Sequence, residues 1–339
     1  MVLRDSVERE GAPVALSDFE ELTGRYRPEL LAYCYRMLGS IDESEDMVQD
    51  TYLRAWRYFD RFEGRSSVRL WLYKIATSAC LTALETRKRR PLPSGLTAVD
   101  TVGASAANPE RGIPWLQPAP DSILHAATGD PASVVSHRST IRLAFIAALQ
   151  HLSARQRAAL VLRDVLGWRA SEVATMLDTT TAAVNSALQR ARTQLAAAGP
   201  VPDELSEPDE PGIRTLLDRY AAAFEHADVR GLAELLRAEV EFEMPPVPTW
   251  YSGREAVCEF LADNVLRTPG RWRMVPIRAN GSPAFAVYER EPDDTYRLFC
   301  IQVLSVVEGG VARVVTFLAP GRPERFGIPE TFTAAGRSD

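Results

Sequence analysis

The sequence predicts a multidomain protein in which two all-α domains precede a third domain of the α+β class. Helical patterning without a convincing strand fills residues 17–90 and 139–198. In residues 212–330, helical segments come first, and segments rich in β-branched and aromatic residues follow them, an order typical of α+β folds. Proline-rich segments at 91–138 and 199–211 separate the three parts, and we expect them to be linkers.

Charge distribution, apolar runs and cysteine spacing indicate the cellular compartment and whether a metal site is expected. The 339 residues carry a formal net charge of −6, yet basic side chains outnumber acidic ones in 139–198 and acidic ones dominate after residue 199. Residues 1–16 are expected to be a flexible tail. They are polar and lack an apolar core, so we expect no secretory signal there. No apolar run is long enough to span a membrane, and the four cysteines are widely spaced within apolar runs. These features predict a cytoplasmic protein without a metal site or a cofactor.

The first helical domain carries two charged surfaces. The helix predicted at 42–57 places Leu53 among charged side chains on its outer face. An exposed leucine ringed by charges is typical of a protein-docking surface, although a solvated face with one stray leucine is the alternative. The next helix, at 68–89, follows a turn at 62–67 and ends in four cations at 87–90, which suit phosphate binding as well as the helix dipole.

Residues 152–195 have the pattern of a helix-turn-helix. Ser153 and Gln156 have the spacing of a capping box, Gly167 suits a helix end, and the turn at 178–180 offers N-caps for the last helix. On that helix, small and amide side chains that could read bases lie opposite an apolar stripe, and arginines that could hold phosphates flank them. An ordinary amphipathic helix with a solvated face is the alternative. The candidate DNA contacts are Thr180, Thr181, Asn185, Ser186, Gln189, Arg190 and Arg192.

Together, these residues resemble the extracytoplasmic-function (group IV) sigma factors of bacterial RNA polymerase. Residues 46–56 are similar to the part of region two that holds the polymerase clamp. Residues 62–76 are similar to the part that melts and captures the minus-ten element, with departures just beyond them at Ser78 and at 81–82. Residues 139–198 are similar to region four, which reads the minus-thirty-five element. The resemblance implies a promoter-specificity subunit whose partners are core RNA polymerase and promoter DNA.

The same resemblance assigns individual contacts. It implies that core polymerase is held by Asp46, Gln49, Asp50, Leu53 and Arg54. It implies that minus-ten DNA is contacted by Phe62, Arg65, Ser66, Ser67, Arg69, Lys74, Arg87, Lys88 and Arg89. Within the linker, the apolar island at 115–118 is expected to dock against another part of the chain.

The third domain is expected to contain three helices, four strands and one hairpin turn. The helices are predicted at 213–225, 229–237 and 254–266, the strands at 272–278, 284–289, 296–307 and 311–317, and the turn at 308–310. Residues 244–257 resemble the SnoaL-like, polyketide-cyclase-like cone fold. That resemblance implies a domain that replaces a separate anti-sigma protein, so no obligate separate anti-sigma factor is expected.

Two features of the third domain leave an enzymatic function open. A pocket for a small ligand, or alternatively a closed core, is predicted from Phe242, Met244, Trp250, Trp272, Phe285 and Tyr288. A cyclase needs a positioned acid–base pair, for which the candidates are His226, Glu241, Glu243 and Asp263, and these form no recognisable dyad in the sequence. The competing hypotheses are therefore a cyclase-type enzyme fused to a DNA-binding module and an activator that binds DNA alone. The segment at 46–56 favours the sigma factor, because an activator of that kind has no need of it.

Overall fold

The structure, a computed structural model, describes residues 16–62, 64, 66–85, 90, 92–95, 115–125, 140–197, 211–318 and 320–333. Residues 1–15 of the expected tail and most of both expected linkers lie outside this part of the chain. No helix of the described residues combines the length and the apolar character needed to cross a membrane.

The first helical domain consists of four helices, α1 (Leu16–Thr23), α2 (Arg27–Leu38), α3 (Ile41–Tyr58) and α4 (Val68–Glu85). Gly39 ends α2 with a left-handed backbone (φ 69°), a conformation that glycine adopts without steric cost. Ser40 then caps α3, because its side chain accepts a hydrogen bond from the Glu43 amide at 3.3 Å. The corner between α2 and α3 is therefore fixed by its own sequence.

The helix-turn-helix domain follows a short linker helix, α5 (Asp121–His125). It comprises α6 (Leu143–Leu149), α7 (Ala154–Leu160), α8 (Ala170–Met176) and α9 (Thr181–Ala197). The capping box of Ser153 and Gln156 is confirmed at the start of α7, and Gly167 has the left-handed backbone (φ 70°) expected beyond a helix end. A π-helical turn, Val161–Val165, extends α7, which the sequence pattern did not predict.

The C-terminal domain packs three helices on one mixed sheet, which confirms the α+β class. Its elements are α10 (Pro211–Glu225), α11 (Val229–Leu235), α12 (Arg254–Asn264), β1 (Leu236–Glu243), β2 (Trp250–Ser252), β3 (Trp272–Ala279), β4 (Ser282–Arg290), β5 (Thr295–Val307), β6 (Gly310–Leu318) and β7 (Thr331–Thr333). The strand order is β2-β1-β6-β5-β4-β3, with β7 beside β5. Only the β1–β6 pair among these strands is parallel.

One expected helix is shorter than the sequence pattern indicated. The helix predicted at 229–237 ends at Leu235, and Leu236 starts β1. The residues after Leu235 are good helix formers such as alanine and glutamate, but Val240 and Phe242 are buried in the core and the strand pairs with β6. This long-range pairing outweighs local propensity.

The sheet has two buried faces, and each packs against a different part of the molecule. On β5, Cys300 and Leu304 pack with the helices of the C-terminal domain. Ile301 and Val303 point the other way and belong to a core cluster shared with both helical domains. Because side chains alternate along a strand, one strand contributes to both cores. The three domains therefore form one continuous packed body.

Candidate protein and nucleic-acid interfaces

The exposed side of α9 carries all the residues expected to contact DNA in the helix-turn-helix domain. Val184, Leu188 and Ala191 are buried, and α9 packs on α7 and α8. The exposed residues are Thr180, Thr181, Asn185, Ser186, Gln189, Arg190 and Arg192. The Thr180 hydroxyl also caps the helix by accepting a hydrogen bond from the Ala183 amide at 3.2 Å. The amide and hydroxyl groups needed for reading base edges thus lie on one accessible face.

The two arginines of α9 are held differently. Arg190 donates a hydrogen bond to the Ser186 hydroxyl at 2.7 Å. Arg192 donates two hydrogen bonds to the Asp164 carboxylate, at 2.9 and 2.8 Å, and the Asp164 carboxylate raises the pKa of Arg192 above its ordinary value. Since Asp164 lies in the π-helical turn, Arg192 joins α9 to that turn. Of these two arginines, Arg190 has no carboxylate partner among the described residues.

Sequence reasoning missed Arg155 at the edge of this surface. A groove of about 310 Å³ separates the first turn of α7 from α9, and its lining includes Ser153, Arg155, Ala187 and Arg190. The Arg155 guanidinium donates to the Leu177 carbonyl at 3.3 Å. The sequence could have identified Arg155, because it is a cation only two residues after the N-cap Ser153.

The outer face of α3 presents the expected polymerase contacts. Asp46, Gln49 and Leu53 are exposed, with Leu53 51% accessible. Asp50 and Arg54 are half-buried and form an ion pair at 2.8 Å. The face is wider than the sequence indicated. Trp56, three residues beyond Leu53 on the same side of the helix, is 39% exposed and packs its ring 5.3 Å from Phe19. The spacing of three residues from Leu53 could have identified Trp56 as part of this face.

The expected minus-ten contacts are only partly accessible. Arg65, Arg87, Lys88 and Arg89 lie outside the described residues. The Phe62 ring packs 4.8 Å from Trp71, and Ser67 accepts a hydrogen bond from the Leu70 amide at 3.1 Å in the first turn of α4. Ser66 is half-buried. The turn before α4 therefore has a structural role in addition to any contact with DNA.

Arg69 and Lys74 contact other parts of the chain. Arg69 forms two short hydrogen bonds with Glu29, both at 2.9 Å, and its guanidinium lies 4.5 Å from the Trp168 ring. Burial alone would lower the pKa of Arg69. The hydrogen bonds to Glu29 have the larger combined effect and hold that pKa above its ordinary value. Lys74 forms an ion pair with Asp178 at 2.8 Å. Two expected DNA contacts of the first helical domain thus touch the helix-turn-helix domain.

The apolar island at 115–118 docks at the corner between α2 and α3, in agreement with the sequence-based expectation. The Gln117 amide oxygen accepts from the Ser40 hydroxyl at 2.8 Å, and its amide nitrogen donates to Asp42 at 2.8 Å. Leu116 is 1% exposed and approaches Gly39 closely enough that a Cβ there would clash with it. The linker is therefore fixed to the first helical domain at this corner.

Asn280, at the tip of the β3–β4 hairpin, joins all three domains. It is fully buried and its side-chain nitrogen donates to the Tyr35 hydroxyl at 2.8 Å and to the Ile141 carbonyl at 2.9 Å. Its side-chain oxygen accepts from the Ala119 amide at 2.9 Å. The next residue, Gly281, donates its amide to Asp121 at 2.7 Å. The Asn280-Gly281 pair is a sequence signal for the hairpin turn, but nothing local indicates the three bonds of the Asn280 side chain, because their partners are distant in the chain.

The segment after the sheet contacts α3. Arg325 pairs with Asp42 and with Glu45, each at 2.7 Å. Partial burial opposes ionisation of Asp42, but the hydrogen bonds from Arg325 and Gln117 prevail and hold the pKa of that carboxyl below its ordinary value. The C-terminal domain thereby holds the start of the helix that carries the expected polymerase contacts.

The predicted pocket residues do not share one site. All six are buried, but only Phe242, Met244, Trp272 and Phe285 belong to the core between the sheet and α10–α12. The grouping of Tyr288 with them was wrong, because three residues along a strand from Phe285 the side chain points to the opposite face. There Tyr288 packs 4.7 Å from Phe332. Trp250 is buried on β2, at the edge of the sheet.

The candidate acid–base residues are likewise apart from that core. Glu241 and Glu243 both pair with Arg313, and Glu243 also accepts a hydrogen bond from the Ser94 amide at 3.0 Å. Both lie on the face of β1 opposite Phe242. The exposed His226 ring is 2.7 Å from the Ala222 carbonyl, and Asp263 is exposed on α12. None of the four candidates is positioned as an acid–base pair facing the inner core.

Comparisons with known proteins agree with this geometry. Three family models match: Sigma-70 region 2 over residues 22–90, Sigma-70 region 4 over 142–195 and the SnoaL-like domain over 217–314. The crystal structure of the extracytoplasmic function sigma factor SigJ from Mycobacterium tuberculosis aligns with a TM-score of 0.57 at 23% identity, covering 93% of this chain and all of that one. This likeness shows that the fold is shared.

Two curated relatives from the same organism extend the comparison. The ECF RNA polymerase sigma factor SigJ is 29% identical over 229 residues, which are 67% of this chain and 64% of that protein. The ECF RNA polymerase sigma factor SigG is 46% identical over 332 residues, covering 97% of this chain and 89% of that protein. The protein therefore belongs to the ECF RNA polymerase sigma factors, transcription initiation factors that bind core RNA polymerase and direct it to promoters.

Proposed function

We propose that three surfaces of the chain share the work of promoter-specific initiation. Core polymerase binds the outer face of α3 at Asp46, Gln49, Asp50, Leu53 and Arg54. The minus-ten element binds α4 and its flanking turn and cations, namely Phe62, Arg65, Ser66, Ser67, Arg69, Lys74, Arg87, Lys88 and Arg89. The minus-thirty-five element binds α9 at the exposed residues given above. The exposure of Leu53 and of the polar side of α9 supports these assignments.

Asn185→Ala is expected to relax base preference at one position of the minus-thirty-five element. An amide bonded to a base edge contributes about 1–3 kcal/mol of discrimination, so the preferred base should lose most of its advantage at that position alone. Competition binding of the holoenzyme to promoters randomised one position at a time measures this. Thr193→Ala is the matched control, because the Thr193 hydroxyl donates to the Gln189 carbonyl of its own helix at 3.0 Å. Preference unchanged at every position means that Asn185 does not read a base.

Arg190→Ala is expected to weaken binding to all promoter sequences alike. A lost phosphate contact should lower the slope of log affinity against log salt concentration by about 1. Arg192→Ala should have a smaller effect, because the Arg192 guanidinium must give up Asp164 before it can hold a phosphate. Titration of a promoter fragment across a range of salt measures both slopes. A change in which promoters are used, rather than in the slope, contradicts a phosphate role.

We further propose that the C-terminal domain regulates initiation instead of catalysing a reaction. The observation that carries this is Asn280, which bonds the first helical domain, the linker and the helix-turn-helix domain at once. Because the domain is on the same chain, its contacts form at high effective concentration and need no separate anti-sigma factor. We propose that the protein acts in the cytoplasm, away from membranes.

A further inference from the structure

We propose that the helix-turn-helix domain occupies the minus-ten face of α4 as an internal substitute for single-stranded promoter DNA. The Trp168 ring takes the place of an unstacked base, and the Asp178 carboxylate takes the place of a phosphate. The proposal rests on the proposed assignment of Arg69 and Lys74 to minus-ten DNA.

The contact between Trp168 and Arg69 has the form of a base-binding contact. The Arg69 guanidinium lies over the Trp168 ring, 4.5 Å from its centroid, and the buried Tyr73 ring meets the Trp168 ring edge-on at 5.2 Å. Trp168 is only 6% exposed, so this position on α4 is filled. A guanidinium and an aromatic ring are the groups on which the bases of a single strand stack. The Glu29 carboxylate forms an ion pair with the Arg69 guanidinium at 2.9 Å and helps to keep it in place.

The contact between Asp178 and Lys74 has the form of a phosphate contact. The Lys74 ammonium donates to an Asp178 carboxylate oxygen at 2.8 Å, as it would donate to a phosphate oxygen. Asp178 sits in the turn between α8 and α9 with a left-handed backbone (φ 47°), and its side chain is 78% exposed. Lys74 follows Arg69 by five residues on α4, and both cations contact the helix-turn-helix domain, Arg69 through Trp168 and Lys74 through Asp178.

The helix-turn-helix domain is fixed in this position by a buried cation. Arg157, 4% exposed, donates to the Met37 carbonyl near the end of α2 and to the Gln150 side chain of its own domain. The domain cannot hold Arg69 and Lys74 and leave them free for a DNA strand at the same time. Binding of the minus-ten strand and packing of the two domains are therefore mutually exclusive.

The test is a double-mutant cycle on the full-length chain. The probe is a fluorescein-labelled single strand that carries the minus-ten region of a promoter used by the holoenzyme in run-off transcription. We expect Asp178→Asn to bind the probe about three- to fivefold more tightly, about 0.7–1 kcal/mol, which is the upper part of the range for an exposed ion pair. Asparagine tolerates the left-handed backbone, so the turn is preserved. In a Lys74→Ala background, Asp178→Asn should give no gain, because the competition acts through Lys74.

The matched control is Asp294→Asn, since Asp294 is also exposed, has a left-handed backbone (φ 62°) and pairs with a cation, Arg290, far from α4. If Asp178→Asn still tightens probe binding in the Lys74→Ala background, the effect reflects only the lost negative charge. That result overturns the proposal that Asp178 occupies the place of a DNA phosphate. If Lys74→Ala weakens binding and Asp178→Asn has no effect, the DNA role of Lys74 stands and the internal substitute is overturned. If neither variant changes binding, both are overturned. Trp168→Leu gives an independent check, because it should free Arg69 and tighten binding while helicity is retained.

Discussion

A chain carrying Leu53→Ala and Asp50→Ala together is expected to lose core polymerase on co-purification. Leu53 is 51% exposed beside the Asp50–Arg54 ion pair, a setting typical of a residue that becomes buried only in a complex. Truncation of such a residue costs about 2 kcal/mol or more, roughly a 30-fold loss of affinity. The helix should persist, because alanine favours helices and the exposed ion pair adds little to stability.

The control for this experiment is Phe299→Ala, which removes another exposed apolar side chain, 42% accessible, from the C-terminal domain. Circular dichroism of both variants checks that helicity is retained. Co-purification at the wild-type level from the doubly substituted chain would show that α3 does not form the polymerase-binding surface.

Asn280→Gly is expected to raise promoter-dependent transcription several-fold without changing the sequences recognised. Glycine accepts the left-handed backbone of this position (φ 54°), so only the side-chain hydrogen bonds are lost. The Tyr35 hydroxyl, the Ile141 carbonyl and the Ala119 amide would lose a partner in a buried interface, at about 1–3 kcal/mol for each group left unsatisfied. The closed arrangement should therefore open more often.

Run-off transcription at matched protein levels, across a range of salt, measures this effect. Asp294→Gly supplies the control, because it places glycine at another left-handed position, in the β4–β5 hairpin. A chain truncated after about residue 200 should show changed activity with the same promoter preference. Identical transcription from the full-length, truncated and Asn280→Gly chains would exclude a regulatory C-terminal domain.

The features that sequence analysis predicted well are those set by short-range chemistry. The capping box of Ser153 and Gln156 and the left-handed Gly167 depend on neighbouring residues alone, so the helix-turn-helix could be located from the sequence. The apolar stripe of α9 repeats every three to four residues, and Val184, Leu188 and Ala191 are buried as predicted, whereas Leu195 is half-buried. The four later strands of the C-terminal domain were recognisable from their β-branched and aromatic residues.

Some of the features that sequence analysis missed depend on partners far along the chain. Strand β1 was missed although residues 238–244 alternate between apolar and acidic side chains, as a half-buried strand does. Only its pairing with β6 depends on a distant partner. Tyr288 was placed with Phe285 although a spacing of three residues puts them on opposite faces of a strand. Asn280 and Tyr35 are separated by most of the chain, and so are Arg325 and Asp42. Each expected binding surface could thus be predicted from the sequence, whereas the contacts between the domains could not.

The distance between α4 and α8 in solution tests the central claim most directly. Spin labels at Ser78 on α4 and Thr175 on α8 occupy exposed positions on two helices that pack together. The account predicts one short distance in the free full-length chain and a longer one in the complex with core polymerase and promoter DNA. A long distance in the free chain, or the same short distance in the complex with promoter DNA, would contradict the closed arrangement as a masked state of the sigma factor.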